Sequence, residues 1–215
     1  AISHQINQPI TAISTYAAVA LDAVQRNNTE LARTTLTKLS EECERAASVA
    51  KSIRDLVKQG SLSSAPTRIQ EVVESTRRIH SSELSSLDIA LEVDIPASLP
   101  IILADRIQLE QALDNIVTNS LEAIREANRG SRIKISAAVQ QTELIIEVED
   151  DGPGFAPGLD ALATTPFMTT KHNGSGLGLA IARSVAEAHG GSLAILQRSS
   201  GACIRLRLPT NGKVT

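Results

Sequence analysis

The sequence predicts an α-helical hairpin, a four-helix bundle when two copies pair, followed by an α+β two-layer sandwich with a mixed, mostly antiparallel sheet. Three observations carry this. Residues 1–59 hold no glycine and a single proline, Pro9, and they repeat apolar residues at helical spacing. A small, polar, proline-terminated stretch follows, Gly60-Ser61-Leu62-Ser63-Ser64-Ala65-Pro66. Beyond it, helical and alternating patterns come in separate runs, as α+β domains require.

The first helix is marked by Ile6, Ile10, Ile13, Ala17, Ala20 and Val24, at spacings of 4, 3, 4, 3 and 4. The second is marked by Leu36, Leu39, Cys43, Ala46, Ala50, Ile53 and Val57, at spacings of 3, 4, 3, 4, 3 and 4. Both are heptad-like stripes suited to a bundle seam. Asn27-Asn28-Thr29 breaks the pattern, with Thr29 expected as the N-cap of the second helix. A lone hairpin of this kind is marginal, and a homodimer solves the problem. Residues 61–66 are expected to link a first domain, 1–60, to a second, 67–215. Within the second, 67–85 reads as a helix. Asp88–Ile95 reads as a strand with Ile89, Leu91, Val93 and Ile95 on one face. Ala104 to about Ala127 reads as a long amphipathic helix with Leu109, Leu113, Ile116 and Ile124 inward. Arg132–Val139 and Glu143–Glu149 form a strand pair. Gly176–Ala188 reads as a helix stopped by Gly190-Gly191. Ser192–Gln197 and Cys203–Leu208 close the chain as strands around Ser199-Ser200-Gly201.

The 215 residues are 42% hydrophobic and 21% charged, a globular composition that excludes disordered and fibrous classes. Two Phe, one Tyr and no Trp leave the core to aliphatic side chains. A net charge of −3 gives no electrostatic case for nucleic acid or an anionic membrane surface. No apolar run reaches the ~18 residues of a membrane span and no signal peptide is visible, so a cytoplasmic location is expected. Cys43 and Cys203 show no metal-ligand spacing and are expected as reduced thiols. The chain begins Ala1-Ile2-Ser3, without Met, as a fragment of a longer protein would. A membrane anchor in a missing N-terminal region is compatible with that.

Four stretches carry chemistry. In Ser3-His4-Gln5-Ile6-Asn7-Gln8-Pro9-Ile10, His4 lies about 200° around the helix from Ile6 and about 180° from Ile13, facing away from the seam. Gln8 shares its face. Such a histidine is usually only a solvated side chain, yet a neutral imidazole is a nucleophile near pH 7 and a helix holds it in place. In Asn115-Ile116-Val117-Thr118-Asn119, two asparagines stand four residues apart on one face of a helix, where asparagine is a poor resident. Either they are polar groups at a sheet edge, or they offer a carbonyl ligand for Mg²⁺ and donors for phosphate. Asp150-Asp151-Gly152-Pro153-Gly154 follows a strand directly. It is turn chemistry at the least, and at the most a carboxylate that backbone and ligand approach closely. Gly174-Ser175-Gly176-Leu177-Gly178 opens a helix and offers backbone N–H groups to an anion. It lacks the Lys-Ser/Thr of a P-loop and the first-strand position of a dinucleotide fold. The patternless stretch between the last two, which includes Pro166-Phe167-Met168-Thr169-Thr170-Lys171, has the length of a functional lid.

In that order the stretches resemble the boxes of the two-component sensor histidine kinases, over nearly the whole chain. Ser3–Ile10 is similar to the phosphoacceptor box and Asn115–Asn119 to the asparagine box. Asp150–Gly154 and Gly174–Gly178 are similar to the two glycine boxes, and Pro166–Lys171 to the phenylalanine box. The form of the first and fourth resembles the nitrogen-fixation and dicarboxylate sensor kinases. The resemblance implies a dimerisation and phosphotransfer hairpin, then a Bergerat-type ATP-binding domain. It makes His4 the phosphoacceptor and Asp150 the acceptor of the adenine amino group. It makes Asn119 the Mg²⁺ ligand and Asn115 a support for the phosphates. Gly152 and Gly154 give access to the base, while Gly174, Gly176, Leu177 and Gly178 frame the triphosphate and Lys171 reaches it from the lid. A response-regulator receiver domain would take the phosphoryl group onward.

One position departs from the family. The residue after the phosphoacceptor is usually Glu or Asp, and here it is Gln5, which accepts a hydrogen bond but is no base. Either Gln5 is an engineered exchange, or transfer is slow, or another group takes the proton. Gln8 matches the position that orients water when the family dephosphorylates its regulator. Two rivals stand beside the kinase: a pseudokinase dimer that signals by shape, supported by Gln5, and an ATP-hydrolysing clamp of the same superfamily. The clamps use a Glu where this chain has Asn115.

Overall fold

A computed structural model describes residues 2–57, 62–156, 163–166, 176–196, 198 and 200–210; the side chains of residues 2–8, 48 and 51–57 lie outside that description. The chain divides into two compact units, Ala1–Gln59 with Phe167–Leu177, and Gly60–Pro166 with Gly178–Thr215.

The first unit is a helical hairpin, α1 (Ile2–Gln25) and α2 (Thr29–Val57). Asn27 takes the left-handed conformation, φ 55°, and Asn28 N–H donates to the Ala23 carbonyl at 2.8 Å, closing α1. The cap of α2 is Asn28 rather than Thr29. Its Oδ1 accepts from Leu31 N–H at 3.1 Å, and Thr29 is already helical. Both residue types cap well, and the tight turn puts Asn28 first in line. The hairpin is closed on its inside by small residues: Ala20, Ala23, Ala32, Thr35 and Val49 are buried. Members of the expected stripes instead lie exposed, Ile10 at 50%, Val24 at 60% and Leu36 at 52%. A bundle helix carries two seams. Ile10, Val24 and Leu36 of the expected stripes face outward, while Ala20 of the same first stripe joins the other small residues on the inside, where they let the two helices approach.

The second unit is a sheet with helices on one face. Its five strands run in the order β2-β4-β5-β7-β6: β2 (Ala90–Asp94), β4 (Arg132–Gln140), β5 (Glu143–Asp150), β6 (Ser192–Leu196) and β7 (Ala202–Pro209). Only β2–β4 is parallel; the other pairs are antiparallel. Register gives the core. Leu144, Ile146, Val148 and Asp150 stand opposite Leu208, Leu206, Ile204 and Ala202, and all eight are buried. This apolar row packs beneath α4 (Arg106–Ala127) and α5 (Gly178–Ala188), while α3 (Ile69–Ser86) packs on α4 and β2. Asp150 is the one charged residue in it. The alternate positions pair as ions, Glu147 with Arg205, Glu149 with Arg198 and Lys134 with Asp94.

Two elements lie outside the sequence-based expectation. β1 (Ala65–Thr67) pairs antiparallel with β3 (Ile102–Ala104), so the last two residues of the expected linker are strand. Three-residue strands leave no legible alternation. β3 also takes Ala104, and α4 begins two residues later than expected, behind Asp105. That side chain caps the helix, Oδ1 accepting from Gln108 N–H at 3.2 Å. Its Oδ2 accepts from Ser63 N–H at 3.1 Å, and its own N–H donates to His189 Nε2 at 2.9 Å. α5 likewise starts at Gly178, two residues after the expected Gly176.

Candidate functional site

Asp150 ends β5, and its carboxylate is 7% exposed. Oδ1 accepts from Gly152 N–H at 3.0 Å and from Ala202 N–H at 3.2 Å; Oδ2 accepts from the Ser120 hydroxyl at 2.9 Å. Burial pushes the Asp150 carboxyl above the usual carboxylate range, opposed by those three hydrogen bonds, Ser120's foremost. The carboxyl is fixed in orientation, because two of its three donors come from backbone. Asp151 does structural work beside it. Its Oδ1 accepts from Ser131 and Arg132 N–H, each at 2.9 Å, and so fastens the segment that follows α4.

The two glycines that matter most face each other. Gly154 (φ 75°) and Gly201 (φ 72°) both lie in left-handed backbone. A Cβ on Gly154 would stand 2.5 Å from the Gly201 carbonyl oxygen, and a Cβ on Gly201 would stand 1.8 Å from the Asp150 carbonyl oxygen. No side chain fits at either place.

Asn115 and Asn119 lie half-buried on α4, as i,i+4 neighbours. Asn115 Nδ2 donates to the Gln111 carbonyl at 2.9 Å, a bond back along its own helix. Its Oδ1 lies 3.4 Å from where a Cβ on Gly178 would be, so α4 meets the first residue of α5 through this asparagine. The structure therefore brings Asn115 to Gly178, and ties Asp150 to Gly152 and to the asparagine helix through Ser120. Gly176 (φ 65°) and the buried Leu177 directly precede α5 in the chain. His4, Gln5 and Gln8 belong to the first turns of α1, and their side chains lie outside the description; Lys171 and Gly174 lie outside the described residues altogether.

Ser120, Ala202 and Gly201 are site residues that pattern reading missed. Ser120 left a signal. It stands four residues after Ile116 and four before Ile124, a hydroxyl at a core position of an apolar face. Ala202 and Gly201 left none, because they enter through the β5–β7 register. Glu147, Glu149 and Cys203 also converge, with ligand atoms within 4.8 Å, but both carboxylates are already answered by arginines. Burial raises the Cys203 thiol. Among the described residues, no helix is long and apolar enough to cross a membrane.

Comparison with known proteins agrees with this geometry. Residues 104–212, just over half the chain, match the family of histidine kinase-, DNA gyrase B- and HSP90-like ATPases; residues 1–62 match the His Kinase A phospho-acceptor domain. The C4-dicarboxylate transport sensor protein DctB of Rhizobium meliloti is 31% identical over 207 residues, covering 96% of this chain and 33% of its own. The sensor protein FixL of Bradyrhizobium diazoefficiens is 30% identical over 213 residues, covering 97% and 42%. The chain thus spans a third to two-fifths of the length of these relatives. The crystal structure of histidine kinase ThkA with response regulator protein TrrA shares the fold, with a TM-score of 0.76 at 23% identity over 98% of this chain and 60% of that one. With a phospho-acceptor hairpin and an ATPase domain in sequence, and a buried carboxylate at the end of β5, this chain belongs to the sensor histidine kinases.

Proposed function

We propose that this chain is a kinase core that moves the γ-phosphoryl group of ATP to His4 and then to an aspartate of a response-regulator receiver domain. The observation that carries the reading is the Asp150 carboxyl, buried, held by three donors and bonded to the asparagine helix through Ser120. Such a group at the end of a strand suits the exocyclic amine of adenine. Gly152 and Gly154 leave the base unobstructed. Gly174, Gly176, Leu177 and Gly178, at the start of α5, would give backbone N–H groups to the phosphates, and Lys171 a cation. The amide oxygen of Asn119 is a hard donor that suits Mg²⁺, which is commonly held by one or two protein oxygens together with substrate phosphates. Bound there, Mg²⁺ would supply neutralisation of phosphate charge. Asn115, packed against Gly178, would hold the helix start that faces those phosphates.

At His4, an imidazole nitrogen lone pair would attack the γ-phosphorus in line with the departing bridging oxygen of ADP. That chemistry needs positioning more than covalent help from the protein. The imidazole proton must then leave. Gln5 can orient the ring through its amide oxygen but cannot take the proton. Gln8, one turn further on, would orient water for removal of phosphate from the regulator. The ThkA complex with TrrA supports a receiver domain as partner. The outward side chains of Ile10, Leu21 and Val24 support a homodimer, since together they give α1 an apolar side that faces away from α2. Gln5 also favours a second reading, a nucleotide-binding pseudokinase dimer.

Incubation with Mg²⁺ and γ-labelled ATP separates the two. A kinase acquires label that is lost in acid and survives base, and His4→Ala loses the label while still binding ATP. Label on the His4→Ala variant would move the acceptor elsewhere. ATP binding without any label on the parent chain would select the pseudokinase.

A further inference from the structure

We propose that Ser120 is a positioning residue for base recognition: its hydroxyl, 2.9 Å from Asp150 Oδ2, turns the carboxylate so that one acceptor site is left for a single N–H of an adenine-type amine. The inference deepens the nucleotide reading and rests on it.

An ionised carboxylate offers about four lone-pair sites. Oδ1 of Asp150 uses two, on the N–H groups of Gly152 and Ala202. Oδ2 uses one on Ser120, which is itself 1% exposed. One site on Oδ2 remains. A base with an exocyclic amine at that place fills it, and a base with a carbonyl oxygen there, as in hypoxanthine or guanine, meets the carboxylate oxygen with like charge. Without the hydroxyl, Oδ2 would have two open sites and no fixed partner. The carboxylate could then rotate or take in water, and the difference between amine and carbonyl would shrink. Ser120 also directly follows Asn119 on α4, so the same bond sets the base end of the site in register with the helix proposed to serve the phosphates.

The test uses the 215-residue chain with Mg²⁺, and titration calorimetry with ATP and with inosine triphosphate, which has a carbonyl where ATP has its amine. For Ser120→Ala, ATP affinity is expected to fall about three- to tenfold while inosine triphosphate affinity moves by less than about twofold, so the preference for ATP contracts. Ser120→Cys, nearly isosteric and a weak donor, is expected to do the same, and Ser120→Thr, which keeps the hydroxyl, to restore the preference. Unchanged ATP affinity and preference in folded Ser120→Ala or Ser120→Cys overturn the proposal. So does an equal loss for both nucleotides, the mark of general loosening. A parent chain that binds neither nucleotide overturns the reading of Asp150 itself, and this inference with it.

Discussion

Asp150 shows what a single buried charge does to the energetics. Its folded carboxyl holds a proton more tightly than the unfolded chain does, because burial raises it. Stability from this group is fully present below the unfolded value of ~3.9 and is lost as pH rises through the raised folded value. Asp150→Asn removes that dependence. Compared with the variant, the parent protein is expected to gain stability as pH falls from about 7 towards 4, read from urea midpoints across that range. The amide can keep accepting from Gly152 and Ala202, so folding should survive. It turns a donor towards the ligand, however, and ATP affinity is expected to drop at least about tenfold. Gly201→Ala should fail differently: a left-handed residue would gain a Cβ 1.8 Å from the Asp150 carbonyl oxygen, at a cost of about 2 kcal/mol or more, visible as a lowered melting temperature. Asp150, Asn115 and Gly154 were legible because each is an odd residue for its place: a charge ending an apolar strand, an asparagine inside a helix, a glycine beyond a turn. Gly201 was not, since its constraint comes from Asp150 on a strand distant in sequence, which only the β5–β7 register reveals.

Among elements, α4 concentrates the most. It carries Asn115, Asn119 and Ser120, and its start is held by one side chain. Asp105→Ala removes the cap from Gln108 N–H and the acceptor of Ser63 N–H. About 1–2 kcal/mol should be lost, seen as a shift of the denaturant midpoint without a change in its slope. Elements of eight residues or more were legible from periodicity, and in the second unit their ends came within two residues. The three-residue β1 and β3 were not, because pairing, not propensity, makes them strands. The α2 cap shifted by one residue because Asn28, the stronger capping residue of the pair, comes first after the tight turn.

For the molecule as a whole, the outward apolar seam of the hairpin sets the expected assembly. Light scattering should give twice the 22.8 kDa chain mass, and Leu21→Lys with Val24→Lys, at positions 66% and 60% exposed in the single chain, should give monomers. The helical apolar spacing of the hairpin was legible in sequence, but which of its residues face the neighbouring helix was not, because heptad spacing alone does not rank two sides of one helix. At the opposite end of the reaction, Gln5→Glu is expected to raise autophosphorylation by roughly 10²-fold or less, measured as the initial rate of label incorporation.

The hydrogen bond from Ser63 to Asp105 bears on any attempt to excise the second unit as a free-standing protein. A version cut just after Thr67 would forfeit β1, the bond from the Thr67 hydroxyl to the Ala104 carbonyl and the donor that steadies Asp105 Oδ2. One cut a few residues ahead of Ser63 keeps all three, so the natural place for scissors or a fusion joint lies upstream of the stretch that composition alone marks as dispensable.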